Sequence, residues 1–135
     1  MIRILVDTGP LVALLDAGDR DHARCAAAAK RMRGDLITTW PVITEATYLL
    51  AKTPTAQDAL LSKIGDGAIQ MAELTADDVP AIRVLMRKYR TLPIDFADAS
   101  LVRVAEREGI HRIFSLDRRD FSAYRAGRHP FVIVP

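Results

Sequence analysis

Four acidic residues lie within or directly beside the apolar segments of this 135-residue chain: Asp7, Glu45, Asp98 and Asp117. Burying an ionised carboxylate costs several kcal/mol unless the group is paired or binds a metal. A fold that buries the apolar segments must therefore leave these acids in water or gather them around a shared cation. A shared cation points to metal-assisted chemistry on a phosphate.

Each acid also has a simpler structural role open to it. Asp7 can cap the short helix that follows it, and Glu45 can lie solvated on the surface of its own helix. Asp98 can take the acidic place in a helix-capping arrangement with Asp95. Against this, Glu45 and Asp98 share helical spacing with apolar side chains, which favours a position at the edge of the core.

The chain is long enough for one domain, residues 1–135, with half of its residues hydrophobic and 27% charged. No apolar run approaches the roughly 18 residues of a membrane span, and no signal-peptide pattern opens the sequence. Cys25 is the only cysteine, so no intramolecular disulfide can form. These features predict a cytoplasmic protein with no membrane partner.

Strands and helices alternate along the sequence. Predicted strands are residues 2–6, 36–39, 69–74, 112–115 and 131–134, and predicted helices are residues 11–15, 21–33, 41–52, 55–64, 75–89 and 96–108. This alternation favours an α/β fold with a parallel sheet covered on both faces. Ligands of such sheets bind beyond the carboxyl ends of the strands, where strand order reverses. Asp7 and Asp117 each follow a predicted strand, so both are expected at that edge.

The candidate ligands are carboxylates without paired histidines or cysteines. Such a set suits Mg²⁺ or Mn²⁺ better than zinc. These ions activate water and neutralise charge on a phosphoryl group during its transfer. His22, His111 and His129 stand outside the acidic segments, so a histidine-based zinc site is not expected.

Basic residues concentrate near the end of the chain although the net charge is only +2. The segment between His111 and His129 contains five arginines but only two aspartates, and Phe121 and Tyr124 lie among them. A solvated surface with ordinary ion pairs is one interpretation. A track for a nucleic-acid backbone is the other, since arginine binds phosphate bidentately. Its candidate RNA contacts are Arg112, Arg118 and Arg119.

A further apolar group lies in the first predicted helix and near the third: Leu11, Val12, Leu14, Leu15 and Trp40. Exposed apolar patches of a few hundred Å² usually mark protein contacts. The alternative is that these side chains lie wholly in the core.

Four segments that contain the acids follow one another along the chain: Ile4-Leu5-Val6-Asp7-Thr8-Gly9-Pro10-Leu11, Thr44-Glu45-Ala46, Pro93-Ile94-Asp95-Phe96-Ala97-Asp98-Ala99-Ser100-Leu101-Val102 and Phe114-Ser115-Leu116-Asp117-Arg118-Arg119-Asp120-Phe121. In this order they resemble the segments of PIN-domain ribonucleases, specifically the toxins of VapBC-type toxin–antitoxin pairs. The resemblance implies a PIN-like three-layer α/β/α fold with a central five-stranded parallel sheet. It also implies an Mg²⁺- or Mn²⁺-dependent endoribonuclease, usually a homodimer, neutralised by an antitoxin protein.

The resemblance also implies roles for individual residues. Asp7, Glu45 and Asp98 match the family's three principal metal-binding acids, and Asp117 matches the fourth. Asp95 lies where this subgroup often carries an additional acid. Thr8 and Ser115 match small hydroxyl positions that support the acids or hold water.

Two other functions fit the same residues. The protein could act mainly as a regulatory module, through a complex with a small partner and, through it, with DNA. It could also be a housekeeping nuclease that processes RNA or cuts DNA. A neighbouring short reading frame that encodes a DNA-binding antitoxin, and growth arrest rescued by that neighbour, would favour the toxin.

Overall fold

The computed structural model describes residues 2–92 and 94–135; Pro93, which belongs to the third segment above, lies outside the described residues. The strands are β1 Arg3–Val6, β2 Asp35–Thr38, β3 Ile69–Met71, β4 Arg112–Phe114, β5 Arg125–Ala126, β6 His129–Pro130 and β7 Val132–Val134. The helices are α1 Thr8–Leu15, α2 His22–Arg31, α3 Trp40–Leu49, α4 Pro54–Gly65, α5 Val79–Lys88, α6 Phe96–Glu108 and α7 Arg118–Ala123, with a 3₁₀ turn at Ala76–Asp78.

Five strands form one parallel sheet in the order β3-β2-β1-β4-β7, which confirms the predicted sheet. Strand order reverses between β1 and β4, where Val6 is in register with Phe114. The next residue of the chain, Asp7, continues this pairing, since its N–H donates to the Phe114 carbonyl at 2.9 Å. The end of β1 therefore lies at the position where parallel sheets bind ligands.

Helices flank the sheet, as the three-layer arrangement requires. Helix α1 packs against α2, α3 and α4, whereas α6 packs against α3 and α5. Leu5, Val6, Ile113 and Phe114 have no exposed side-chain surface, so β1 and β4 form the centre of the core. Helix α1 follows β1 and α6 precedes β4, so α3, which contacts both helices, connects the two central strands' neighbours.

An ion-pair cluster anchors α6. The buried Asp78 carboxylate accepts hydrogen bonds from Arg103 Nε at 2.9 Å and from Arg107 Nη1 at 2.9 and 3.0 Å. Asp78 also completes a capping box with Thr75, as its position three residues on predicted. The Thr75 N–H and the two guanidinium groups lower the pKa of Asp78 to about 2, although its burial acts in the opposite direction.

The main differences from the predicted elements are local. Helix α1 begins at Thr8 rather than residue 11, because the Asp7 side chain accepts from the Thr8 N–H and caps the helix. Helix α7 and the β5–β6 hairpin were not predicted, since each contains too few residues for a periodic pattern. Helix α6 was predicted with its observed bounds and ends at Gly109, whose φ of +67° suits glycine.

The apolar group of α1 belongs to the core rather than to an exposed patch. Leu11 is buried, and Val12, Leu14 and Leu15 are partly buried and packed against the core. Trp40, by contrast, has 54% of its surface exposed. Within residues 2–92 and 94–135, the helices are all too short or too polar to cross a membrane.

Candidate active site

Acidic side chains from four elements meet at the carboxyl edge of the sheet. Asp7 follows β1, Glu45 lies in α3, and further acids lie at the starts of α6 and α7. A cavity of about 490 Å³ opens at this edge, and it is lined by Asp7, Thr8, Gly9, Glu45, Leu49, Asp95, Asp98, Leu116 and Asp117. The structure therefore brings together every acid that the sequence predicted for the site.

Asp7 is the most enclosed of these acids, with only 8% of its surface exposed. Its Oδ1 accepts a hydrogen bond of 2.8 Å from the Thr8 N–H, and its Oδ2 accepts one of 2.8 Å from the Ser115 hydroxyl. Both bonds fix the direction in which the carboxylate points. The Asp7 side chain thus caps α1 and also lines the acidic cavity.

Ser115 links the two strand-end acids. Besides donating to Asp7, its Oγ accepts a hydrogen bond of 3.0 Å from the backbone N–H of Asp117. Asp117 in turn caps α7, because its Oδ1 accepts from the Asp120 N–H at 3.0 Å. Ser115 therefore contacts both acids, through the carboxylate of Asp7 and the backbone N–H of Asp117.

The start of α6 carries Asp95 and Asp98. Asp95 caps the helix by accepting from the Asp98 N–H at 2.8 Å, which is the simpler role that the spacing predicted. The half-buried Asp98 carboxylate faces the phenol of Tyr124, with 3.4 Å between Tyr124 Oη and Asp98 Oδ2. Tyr124 is fully buried, with its ring edge-on to Tyr89 and Phe121.

Asp120 joins the site although the sequence did not assign it there. Ligand atoms of Asp98, Asp117 and Asp120 all lie within 4.8 Å of one another, close enough to hold one ion together. Asp120 follows Asp117 by three residues in the sequence. This spacing predicts that the two acids share a site only if the segment is helical. Burial and then the charge of Asp117 raise the pKa of Asp120.

Two buried hydroxyl contacts position the helices that carry the acids. Thr39, directly before α3, and Ser100, at the start of the second turn of α6, share a hydrogen bond of 2.7 Å. Thr38 Oγ1 donates to the Val6 carbonyl at 2.7 Å, which ties the end of β2 to the end of β1. These contacts hold α3 and α6, and hence Glu45 and Asp98, at a fixed separation from Asp7.

Two of the carboxyl groups have strongly raised pKa values in the absence of a cation. Burial raises the pKa of Asp7 to about 6, with smaller upward contributions from the charges of Glu45 and Asp117. Burial also raises the pKa of Asp98 to about 8, followed by the charges of Asp7, Asp95, Asp117 and Glu45. The acids are thus close enough to repel one another.

The residues present fit a hard divalent cation. Among the ion pairs formed by residues 2–92 and 94–135, none includes an acid of this site. Thr8 lines the same cavity, and its Oγ1 is buried with no hydrogen-bond partner within those residues. An oxygen-only donor set with surplus negative charge and an unpartnered hydroxyl suits Mg²⁺ or Mn²⁺.

The three arginines predicted to bind RNA occupy different surroundings. Exposed Arg119 is near enough to Asp120 to lower the pKa of that acid. The Arg118 guanidinium donates to the backbone oxygens of Ile133 and Pro135, beside β7. Arg112 begins β4, at the end of the strand opposite to Asp117, and lines separate cavities. The structure therefore does not bring Arg112 to the acids.

Comparison with known proteins identifies relatives of the whole chain. The family model described as PIN domain matches residues 4–127. Ribonuclease VapC26 of Mycobacterium tuberculosis is 32% identical to the chain, over 98% of the chain and 100% of the relative.

Two solved structures share the fold. The Mycobacterium tuberculosis VapC20, a Sarcin-Ricin loop cleaving toxin, superposes with a TM-score of 0.81 at 23% identity, covering 89% of this chain and 94% of that one. A toxin–antitoxin complex from Klebsiella pneumoniae gives a TM-score of 0.69 at 14% identity, over 98% and 96% of the two chains. At these identities the likeness concerns the fold alone.

Proposed function

The chain belongs to the PIN-domain family and is related over nearly its full length to a VapC ribonuclease, and on this premise we propose that it is an endoribonuclease, the toxin of a toxin–antitoxin pair. Its reaction is the hydrolysis of RNA phosphodiester bonds. The observation that carries the proposal is the set of acids from four elements in one cavity, two of them with pKa values of about 6 and about 8 and none with a cationic partner in the described chain.

We propose that Asp7, Glu45, Asp98 and Asp117 hold Mg²⁺ or Mn²⁺, with Asp95 as a further candidate. Asp120 belongs with them because it lies within 4.8 Å of Asp98 and Asp117. When bound, the ion would supply Lewis-acid activation of water and stabilisation of charge on the phosphate. The negative charge of the cavity is the property that recruits it.

The residues around the acids prepare them for this role. Ser115 and the Thr8 N–H each occupy one oxygen of Asp7, so the rotation of that carboxylate is restricted. Only the ionised carboxylate binds a cation, so a bound ion would lower the raised pKa values of Asp7 and Asp98. Thr8 lines the cavity, and we propose its hydroxyl, which has no hydrogen-bond partner in the described chain, as a support for a bound water.

The RNA backbone must approach a strongly acidic cavity. We propose Arg119 as its principal basic contact, since it is exposed and acts on Asp120 electrostatically. Arg118 is the second candidate, although its guanidinium already binds two backbone oxygens. Arg112 is a candidate only for RNA that extends to the far end of the sheet.

The proposed partner is an antitoxin protein that inhibits the nuclease. One solved structure of similar fold is a complex of toxin and antitoxin. An arginine from an antitoxin would pair with the surplus carboxylates and compete with the ion. We also propose a homodimer and, because the proposed substrate is cellular RNA, action in the cytoplasm.

Purified protein incubated with total RNA and Mg²⁺ or Mn²⁺, followed by mapping of the cut ends, tests this function. We expect discrete cuts that leave a 5′-phosphate and a 3′-hydroxyl, and no cuts in EDTA or with the Asp98→Asn variant. Induced expression should arrest growth, and co-expression of a neighbouring small protein should restore it. Intact RNA in every metal would contradict the proposed function.

A further inference from the structure

Tyr124 contacts both of the helices that carry the most closely grouped acids. Its backbone N–H donates to the Asp120 carbonyl at 3.0 Å where α7 ends, and its phenol oxygen lies 3.4 Å from Oδ2 of Asp98 in α6. Asp98, Asp117 and Asp120 are the acids whose ligand atoms lie within 4.8 Å of one another. One residue therefore links the acid of α6 to the helix that carries the other two.

Packing fixes the ring of Tyr124 in place. The residue is fully buried, and its ring lies edge-on to those of Tyr89 and Phe121, with centroids 5.0 and 5.1 Å apart. The Tyr89 hydroxyl oxygen accepts a hydrogen bond of 3.0 Å from the backbone N–H of Arg125, so the residue that follows Tyr124 is held as well. The phenol oxygen of Tyr124 therefore has one position relative to the start of α6.

Packing alone does not account for the hydroxyl of Tyr124. A phenylalanine would fill the same space without placing a polar group in the core, and a buried phenol normally requires a hydrogen-bond partner. Within residues 2–92 and 94–135, the hydrogen bond of this phenol is to the Asp98 carboxyl group. An ionised carboxylate only accepts, so Tyr124 is the donor when Asp98 is charged. The distance of 3.4 Å is long for such a bond, and ionisation of Asp98 should shorten it.

The Asp98 carboxylate is held by fewer contacts than that of Asp7. Asp7 accepts from a backbone N–H and from the Ser115 hydroxyl, whereas the Asp98 side chain accepts only from Tyr124 in the part of the chain that the structure describes. The bond from the Asp98 N–H to Asp95 fixes the backbone at the start of α6 but leaves the side chain free to rotate. The direction of the Asp98 carboxylate therefore depends on Tyr124.

We propose that Tyr124 is a positioning residue of the acidic site: its phenol donates to Oδ2 of Asp98 and thereby orients this carboxylate towards the same cation as Asp117 and Asp120. The inference rests on the proposed nuclease function, in which these acids hold Mg²⁺ or Mn²⁺. Hydrogen bonds to a ligating carboxylate orient it, and their loss typically costs 10- to 100-fold in metal affinity or activity. The segment that follows α7 thus contributes to the site although it carries none of the acids.

Tyr124→Phe tests the proposal, because it keeps the ring and removes only the hydroxyl. Calorimetric titration should show an affinity for Mn²⁺ about 10- to 100-fold below that of the wild type. Tyr89→Phe is the matched control, since it removes the neighbouring phenol of the same aromatic cluster, whose hydrogen bond is to the Arg125 N–H. This control should lower the melting temperature in EDTA and retain wild-type Mn²⁺ affinity. Wild-type Mn²⁺ affinity in Tyr124→Phe would overturn the proposal.

Cleavage of a labelled RNA separates positioning of the acid from contact with the substrate. At a Mn²⁺ concentration near the wild-type Kd, Tyr124→Phe should lower kcat and leave the KM for RNA unchanged, and added Mn²⁺ should restore part of the loss. A raised KM for RNA together with wild-type Mn²⁺ affinity would place the phenol in substrate binding and overturn the proposal.

Failure of the proposed function gives a different result. A wild-type protein that binds no Mn²⁺ and leaves RNA intact would contradict the nuclease itself, whatever the variants do. A wild-type protein that binds Mn²⁺ and cuts RNA, with equal Mn²⁺ affinity in Tyr124→Phe, would refute only the positioning role. Melting curves in EDTA verify that each variant is folded at the assay temperature.

Discussion

The Ser115 hydroxyl donates a hydrogen bond of 2.8 Å to Oδ2 of Asp7, a residue 108 positions away in the sequence. The same oxygen accepts from the backbone N–H of Asp117, so one buried side chain joins the ends of the two central strands. The orientation of Asp7 therefore depends on β4 as well as on β1.

We predict that Ser115→Ala lowers the affinity for Mn²⁺ and the rate of RNA cleavage by about 10- to 100-fold. The reason is that Asp7 Oδ2 loses the hydrogen bond from the Ser115 hydroxyl, so the carboxylate can rotate. Calorimetric titration of Mn²⁺ and cleavage of a labelled RNA measure the two effects. Ser62→Ala, at an exposed position of α4, is the matched control. Unchanged Mn²⁺ affinity would show that Ser115 does not position Asp7.

Divalent ions should stabilise the folded protein. An ion that binds only the folded state adds about 2.7 kcal/mol to the free energy of unfolding at 100 times its Kd. Asp7→Asn should reduce this gain, and it should stabilise the ion-free protein because it removes one of several like charges. Thermal melts in EDTA and in Mg²⁺ or Mn²⁺ measure both effects. A wild-type melting temperature that neither ion changes would contradict a shared cation.

The ion-free protein should lose stability as pH rises from about 4 to about 8. The pKa values of Asp7 and Asp98 are raised to about 6 and about 8 when folded, against about 3.9 when unfolded. The folded state therefore holds the protons more tightly, so the contribution is full below pH 3.9 and is lost as pH passes the folded values.

Melting temperatures in EDTA across this range test that sign. Asp98→Asn should flatten the fall between pH 6 and 8, and saturating Mg²⁺ should remove it. Asp78 acts in another window, because its pKa is lowered to about 2 and its contribution is lost only as pH falls from about 4. A wild-type stability that rises between pH 5 and 8 in EDTA would refute the burial of these charges.

We predict that Arg119 contacts the RNA, whereas Arg118 mainly stabilises the fold. Arg119→Ala should reduce the magnitude of the salt-dependence slope for single-stranded RNA by about 0.7, with an unchanged melting temperature. Arg118→Ala should lower the melting temperature, because it removes the bonds to the oxygens of Ile133 and Pro135. Filter binding at several salt concentrations, with Arg83→Ala as the exposed control, measures the slopes. An unchanged slope in Arg119→Ala would exclude a phosphate contact.

The sheet and most of its site could be predicted because they follow from rules of local order. Parallel strands share one carboxyl edge, so Asp7 and Asp117 were expected to meet there. The apolar neighbours of Glu45 and Asp98 at helical spacing placed both acids at the edge of the core. These inferences need only the order of elements and the faces of helices.

Contacts between distant residues could not be predicted in the same way. Nothing in the sequence distinguishes Thr39 and Ser100, 61 positions apart, from other hydroxyl residues near helix starts. Tyr124 appeared only as an aromatic residue among arginines, whereas its phenol faces Asp98. Arg112 was grouped with Arg118 by local charge, but the length of β4 separates it from the acids.

Cleavage by the single amide variants Asp7→Asn, Glu45→Gln and Asp98→Asn tests the central claim most directly. Each amide keeps the shape of the side chain but removes the charge that a cation requires. A labelled RNA with Mg²⁺ or Mn²⁺ is the substrate, circular dichroism verifies the fold, and Asp58→Asn and Glu106→Gln are exposed controls. We predict no cleavage by the three site variants and normal cleavage by both controls. Full activity in Asp98→Asn would contradict the assignment of these acids as the site.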